Sequence, residues 1–506
     1  MRKKKKSDPR ILVVTPEITS LPAGMSVMGG YLRAKAGGLA DVSAALVGAL
    51  FRQGADVHVA LPHYRRMFHI DVGNLINDEL RIYMSNLHNS RIHLAEDRIF
   101  YYRDSVYSTY DGDTFMQSLA FQREVINNII PQVKPDLIHC NDWMTGLIPA
   151  AARRMGIPCL FTVHNIHTQK RTLAQIEDRG IDAAPFWQNL YYDRPPYNYE
   201  ESRESNPVDF LASGIFAAHF INTVSPTFLK EIVDGRHSFV PENVHREISG
   251  KYYAGCATGI LNSPDVSNDP EKDEFLEVKY NSKTCSTAKK INKIAFQSRT
   301  GLKCDQSAPL FFWPHRLDPV QKGCQLLSDL VYEIVHRYWD SGLQIAIVAN
   351  GAYQKVFREI IAYHNFYERV MVCDFDEELS HLGFAASDFM LMPSRFEPCG
   401  LPQMACQYYG SLPVVHDTGG LHDTVDHLSE DGSSGNGFVF KNYDHGGLLW
   451  GVDEAMRFFR RPETWRNEVI SRVMDESKKR FNLDVTAQAY INIYESMLAR
   501  PLVVQD

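Results

Sequence analysis

The chain has 506 residues, too many for one ordinary domain and enough for two or three. Hydrophobic residues at 44% and charged residues at 23% fit a folded, water-soluble protein and exclude disordered, collagen-like and coiled-coil classes. The 53 lysines and arginines against 61 aspartates and glutamates give a net charge of −8, a field that repels nucleic acid and anionic membranes.

The basic start, residues 1–10, reads as a solvated, disordered segment that leads straight into a strand-like run, with no apolar stretch of signal-peptide length. Apolar runs such as Ile11–Val14 and Leu412–Val415 fall far short of the roughly 20 residues a membrane helix needs. Nine cysteines are scattered without a C-x-x-C pair, which suits a reducing cytoplasm and indicates neither a disulfide framework nor a cysteine metal site. A cytoplasmic location is expected, with no nucleic-acid and no membrane partner.

Short β-rich runs recur at Ile11–Val14, Ala55–Leu61, Asp136–His139, Cys159–Val163 and Phe220–Val224, with helical patterns between them. One of these, Asp41–Gln53, sets Val42, Leu46, Ala49 and Leu50 along a single helix face. The rhythm breaks over the polar, lysine-rich Tyr253–Leu302 stretch. It resumes with Leu310–Trp313, Gln344–Ala349, Val370–Cys373, Asp388–Met392 and Leu412–Val415. Strand–helix alternation of this kind predicts two α/β domains with parallel, doubly wound sheets. The boundaries are placed at residues 9–255 and 256–484, and a final helix from Asp484 has Ala487, Tyr490, Ile491 and Tyr494 on one face. Ligands of such sheets sit beyond the carboxyl ends of strands, so the loops after strands are where chemistry is expected.

Those loops carry polar residues. Glu17 follows the first strand, and Lys35-Ala36-Gly37-Gly38 stands just before the next helix. Glycines permit close backbone approach and a helix N-terminus favours phosphate, although a glycine pair is often only a tight turn. The motif is neither a P-loop nor a dinucleotide fingerprint. His139-Cys140-Asn141-Asp142 and His164-Asn165-Ile166-His167 emerge at later strand ends, without the spacing of a zinc site. In the second half, Arg316 and Lys322 leave a strand ahead of a helix and could neutralise a diphosphate leaving group. Glu397-Pro398-Cys399-Gly400-Leu401 and Thr418-Gly419-Gly420 follow two further strands, the second repeating the glycine-loop pattern.

Five stretches carry a family resemblance: KAGGLADV at Lys35–Val42, TVHNI at Thr162–Ile166, TVSPTF at Thr223–Phe228, SRFEPCGLPQ at Ser394–Gln403 and TGGLHDTV at Thr418–Val425. Over almost its whole length the chain resembles the bacterial and plant glycogen and starch synthases, glycosyltransferase family 5. The resemblance implies the glycosyltransferase-B fold, two Rossmann-like doubly wound domains facing a central cleft. The first would take the glucan acceptor and the second the nucleotide sugar, with a hinge near residues 253–262 and the terminal helix, residues 485–506, crossing back to the first domain. The implied activity is retaining transfer of glucose from a nucleotide-diphosphate glucose, ADP-glucose or UDP-glucose, to the non-reducing end of an α-1,4-glucan such as glycogen. No cofactor or metal is implied.

By the same resemblance Lys35, Gly37, Gly38, Arg316 and Lys322 meet the diphosphate, helped by amides near Thr418, Gly419 and Gly420 and by the Cys399-Gly400-Leu401 turn. Glu397 would hold the ribose or donor sugar. His164 and Asp142 would orient and stabilise the transferring glucose, Glu17 would face sugar or acceptor, Asn262 would contact the sugar, and Phe384 would stack on the base. The chain departs from the family pattern in a longer Glu17–Lys35 loop and in six positions, rather than five, from Arg316 to Lys322. Asn141 and Met144 stand where histidines are usual, Ser263 replaces a glycine and Ala405 a tyrosine. A transferase making a short saccharide and an inactive glucan- or nucleotide-binding regulator are the alternative readings.

Overall fold

The computed structural model describes residues 8–25, 32–35, 38–68, 91–107, 111–265 and 267–503. The chain divides into two compact units. The first comprises Met1–Val224, Leu229–Ile260 and Leu483–Asp506; the second comprises Ser225–Phe228 and Leu261–Asn482. No helix among the described residues is long and apolar enough to cross a membrane.

The first unit is built on a sheet of β1 (Arg10–Val14), β2 (Asp56–Pro62), β3 (Ile92–Ala95), β4 (Leu137–Asn141), β5 (Cys159–Val163), β8 (Phe220–Thr223) and β9 (Ala257–Gly259); β6 (Lys170–Arg171) and β7 (Val208–Asp209) form a separate short ribbon. The order is β3-β2-β1-β4-β5-β8-β9. All its pairings are parallel, with Val13 opposite both Val59 and His139. β1 and β5 are apolar almost throughout because parallel strands covered by helices are buried on both faces. The helix Gly38–Arg52 buries Val42, Leu46, Ala49 and Leu50, the face its periodicity indicates.

The final helix, Leu483–Leu498, packs on this first unit. Its Tyr494 hydroxyl lies 2.7 Å from Nδ1 of His139, whose Nε2 lies 2.6 Å from Thr162 Oγ1. The Thr162 hydroxyl donates to Asn222 Oδ1 at 2.6 Å, and Asn222 Nδ2 donates to the Tyr490 hydroxyl at 3.1 Å. With its own proton committed to Asn222, Thr162 must accept from His139, so Nε2 carries the hydrogen and Nδ1 accepts from Tyr494. Burial holds this imidazole neutral, its pKa pulled down to about 3. His139 is therefore a fastener for the terminal helix.

The second unit repeats the architecture with β10 (Leu310–Trp313), β11 (Gln344–Val348), β12 (Val370–Cys373), β13 (Phe389–Met392), β14 (Leu412–His416) and β15 (Phe438–Phe440). Its order is β12-β11-β10-β13-β14-β15, all parallel, which renumbers to the dinucleotide-fold order 3-2-1-4-5-6. One core fills the space between Phe311, Trp313, Ile345, Ile347, Phe389 and Leu391 of the sheet and the helices Cys324–Arg337 and His445–Phe459.

The structure differs from the sequence expectation around the linker. Ala257–Gly259 still pairs with β8, so the first unit runs on to Ile260, and the polar stretch that follows contains the helix Cys285–Thr300. Its lysines are not all on the surface. Lys289 is buried and donates to the carbonyls of Ala385, Ser387 and Tyr409 at 2.9, 2.8 and 3.0 Å, closing the C-terminal ends of the helices Glu377–Ala386 and Pro402–Tyr408. Lys293 donates to Asp388 Oδ2 at 2.5 Å.

Tyr494→Phe removes the donor to His139 Nδ1 while keeping the ring. The expected loss is about 1–3 kcal/mol, the penalty for an unsatisfied buried acceptor, read as a lower urea midpoint. An unchanged midpoint would contradict the fastening role.

Candidate active site

In each sheet the strand order reverses beside the first strand, between β1 and β4 in one and between β10 and β13 in the other. Loops leaving neighbouring strands there run in opposite directions and open a crevice.

In the second unit the β10 loop folds as an Asx turn, Asp318 Oδ1 accepting from the amides of Val320 and Gln321 at 2.9 and 3.0 Å. Gln321 then accepts from the Arg395 amide at 2.8 Å, and Gly323, at φ 75°, lies so close to the Pro393 carbonyl that a Cβ there would sit 2.0 Å from its oxygen. The β10 and β13 loops are pressed together, and the buried Lys322 ammonium reaches Glu397 Oε2 at 2.5 Å. Ser394 Oγ donates to the same oxygen at 3.1 Å. Arg316 is exposed and has no carboxylate partner among the described residues. Burial and the charges of Lys322 and Arg316 pull the neighbouring His315 imidazole down to about 3.

Glu397 opens the turn that the family motif spells. The amides of Cys399, Gly400 and Leu401 donate to no acceptor among the described residues, leaving three consecutive N–H groups at the start of the helix Pro402–Tyr408. Gln403 Nε2 holds this turn from behind through Cys399 O, Gly400 O and Thr424 Oγ1, each at 3.0 Å. The Cys399 thiol is pushed up to about 12 by burial, opposed by the Asn262 amide, so Cys399 can serve a ligand through its backbone and not as a thiolate. Thr418 is buried, and Gly419, at φ 45°, packs its α-carbon against the Glu397 carbonyl, where a Cβ would lie 2.1 Å from the oxygen. Asn262 is buried, and its Oδ1 has no partner among the described residues, an acceptor that a ligand hydroxyl could satisfy.

Two expectations for this unit are corrected. The Gly420 amide is taken by the Glu397 carbonyl at 2.9 Å, so Gly420 shapes the loop and offers no donor. Phe384 is a core residue, its ring stacked on Tyr409 at 5.7 Å and edge-to-face with Phe312 at 5.5 Å, and it presents no open face to a nucleobase.

In the first unit Glu17, buried just after β1, accepts from the Tyr107 hydroxyl at 3.1 Å. The long loop beyond it is stitched at both ends, since Ile18 and Ala34 exchange amide–carbonyl bonds of 2.9 and 2.8 Å. Lys35 consequently lies beside the helix Gly38–Arg52, its ammonium 3.0 Å from Asp41 in the first turn. Gly38 is the exposed first residue of that helix, and Gly37 lies outside the described residues.

Asp142, after β4, has the left-handed φ of 58°, a strained state for a residue with a Cβ. The Asp142 amide is held by Thr162 O at 3.0 Å, and its carboxylate accepts from the His164 amide at 2.8 Å and from Asn165 Nδ2 at 2.8 Å. Burial still pushes this carboxyl up to about 7, with the charge of Glu17 adding to it and the two amides opposing. His164 Nε2 donates to Asn141 Oδ1 at 2.9 Å, and burial keeps the ring neutral, its pKa near 3. Asn141, a departure from the family pattern, thus fixes the tautomer of His164. Sequence reasoning missed the pairings made by Tyr107, Asn165, Ser394 and Asp41; the last three lay inside the quoted motifs, and Tyr107 lay outside them.

Residues 10–246 match the family model for the starch synthase catalytic domain and residues 297–470 that for glycosyl transferases group 1. Two parallel doubly wound units with polar residues at the switch point of each define, with these matches, a glycosyltransferase of the glycosyltransferase-B fold. Glycogen synthases of Syntrophotalea carbinolica and Clostridioides difficile are 31% and 32% identical to the chain, over 91% and 92% of its length and 96% and 97% of theirs. The catalytic domain of starch synthase IV from Arabidopsis thaliana, solved bound to ADP and acarbose, is 25% identical with a TM-score of 0.76, over 98% of this chain and 100% of that one. The chain belongs to the glycogen synthase family.

An aspartate with a pKa near 7 makes a kinetic prediction. If the ionised Asp142 is the active form, kcat/KM rises with pH through an acid limb of apparent pKa near 7, and that limb is lost in Asp142→Asn. A flat profile in the parent enzyme between pH 5.5 and 8.5, measured as initial rates, would remove Asp142 from the reaction.

Proposed function

We propose that the chain transfers glucose from ADP-glucose to the 4-hydroxyl at the non-reducing end of an α-1,4-glucan, with retention of configuration. The observation that carries this is the buried Lys322–Glu397 pair beside the exposed Arg316 and the open amides of Cys399, Gly400 and Leu401. Cleavage of the glycosyl–phosphate bond leaves negative charge on a diphosphate. Fixed cations and amide dipoles aimed at that charge lower the barrier without reorganising. The similar starch synthase IV domain, solved with ADP, supports the adenine nucleotide as the donor's carrier.

Glu397 takes the ribose or donor sugar in this reading, and Asn262 offers its unpartnered Oδ1 to a sugar hydroxyl. In the first unit Lys35 and Gly38 add positive potential for the diphosphate. Glu17, Asp142 and the neutral His164 act on the transferring glucose and the acceptor. Asp142 is poorly placed to act as a nucleophile, because both its oxygens already accept hydrogen bonds. The departing phosphate then helps to deprotonate the acceptor hydroxyl on the same face, in place of the two-carboxylate scheme of retaining glycosidases.

The test is an initial-rate comparison of ADP-glucose and UDP-glucose with glycogen as primer, followed by β-amylase digestion of the labelled product. Label released as maltose establishes elongation at α-1,4 non-reducing ends; label found only in a disaccharide would overturn the reading. Arg316→Ala is expected to lower kcat about 100- to 1,000-fold with the fold intact, since this side chain is exposed. Lys322→Ala is expected to lower kcat similarly and also to lower Tm, because it strands the buried Glu397. Near-normal kcat in both would remove the cationic role. With arginine and lysine supplying the charge stabilisation, EDTA is expected to leave rates unchanged, and restoration by Mg²⁺ after EDTA inhibition would contradict that assignment.

A further inference from the structure

Arg316 is exposed, yet both of its neighbours in the chain are buried and fastened. The ladder between β10 and β13 ends at Phe312 opposite Met390, beside the point where the strand order reverses. Beyond that end the His315 side chain bridges the same two strands, its Nε2 lying 3.0 Å from the Leu391 carbonyl oxygen. A carbonyl can only accept, so Nε2 carries the hydrogen and donates it to β13. The indole Nε1 of the buried Trp313 donates to the His315 carbonyl at 2.7 Å, and the two rings lie 4.3 Å apart. On the other side of Arg316, the amide of the buried Leu317 donates to the Asn350 carbonyl at 3.0 Å, in the loop that follows β11.

A long exposed side chain reaches a ligand from wherever its α-carbon is held, and the entropy lost on binding grows when that backbone is free as well. With His315 tied to β13 and Leu317 tied to the loop after β11, the α-carbon of Arg316 is fixed on the same framework that carries Lys322 and Glu397. An imidazole suits this place because it stays neutral. Burial and the charges of Lys322 and Arg316 hold its pKa near 3, so it joins the strands without adding a third positive charge. Its Nδ1 is buried with no partner among the described residues, a cost that an apolar side chain here would avoid. What the ring supplies against that cost is the Nε2–H bridge.

We infer that His315 is a positioning residue for Arg316: by joining β10 to β13 it sets the point from which the guanidinium reaches the donor diphosphate. The inference rests on the reading above, in which Arg316 meets that diphosphate. His315 acts through Arg316 and not on the sugar.

The experiment is a double-mutant cycle read in two ways, as Kd for ADP by titration calorimetry and as kcat with ADP-glucose on glycogen. His315→Leu keeps the bulk and loses the Nε2–H. With Arg316 present it is expected to weaken ADP binding about fivefold and to lower kcat about tenfold. In the Arg316→Ala background the same change is expected to alter either quantity by about twofold at most, because the side chain it positions is gone. His315→Gln, whose amide N–H can reach the Leu391 carbonyl, is expected to stay within about twofold of the parent. If the leucine variant does not fold, His315→Asn, too short to reach that carbonyl, takes its place in the cycle. An equal loss with and without Arg316 would overturn the inference, since His315 would then act on the fold at large. Parent-like binding and turnover in His315→Leu would overturn it too. Calorimetry needs no turnover, so a parent that binds ADP but transfers to no glucan would overturn the functional reading and leave the positioning role to be decided by the binding cycle.

Discussion

The second unit is organised around one buried ion pair. Lys322 and Glu397 come from loops that leave β10 and β13 in opposite directions, and only the close contact of those loops lets them meet at 2.5 Å. A buried pair of this kind contributes little net stability, because desolvation offsets most of the attraction, while removal of either partner strands a charge. Its more direct consequence is chemical. On the reading proposed above, a diphosphate would meet a lysine already desolvated and positioned, whose carboxylate partner also accepts from Ser394. The Asx turn at Asp318, the contact at Gly323 and the Gln403 brace are the local devices that hold this geometry.

The first unit keeps its polar residues in another condition. His139 and His164 are both held neutral by burial, and a hydrogen-bond partner sets the tautomer of each, Thr162 for the one and Asn141 for the other. Glu17 and Asp142 repel one another, and the strained backbone at Asp142 is held by the Thr162 carbonyl, by the His164 amide and Asn165 on its carboxylate, and by the Thr145 amide and hydroxyl on its carbonyl. A neutral imidazole beside a carboxyl poised near neutrality suits a task of hydrogen-bonding sugar hydroxyls and balancing positive charge on carbon. It does not suit proton transfer by an imidazolium.

Much of this was visible in the sequence for a physical reason. Parallel strands buried on both faces must be continuous apolar runs, so ILVV, QIAIV and FMLM stand out. The strands that escaped notice are the short ones at or near sheet edges, IHLA, ATG and FVF, which neighbour pairing alone defines. Motifs pointed to Glu397, Lys322, Asp142 and His164, because loop chemistry at strand ends leaves a local signature. Their partners did not show, since Tyr107 stands 90 positions from Glu17 and Asn141 reads in sequence as a lost histidine. Phe384 misled for the converse reason: an aromatic near a binding motif looks the same in sequence whether it faces a ligand or the core.

The two ends of the second sheet can therefore be read as having separate duties, imposed by the topology. Parallel βα units bring all strand exits, with their helix N-termini and glycine turns, to one edge, and that edge collects the anion-binding groups. The opposite edge receives helix C-termini, which disfavour anions. Lys322, the exposed Arg316 and the open amides of Cys399, Gly400 and Leu401 all stand on the first edge, so the groups able to meet negative charge are gathered at one end of the sheet.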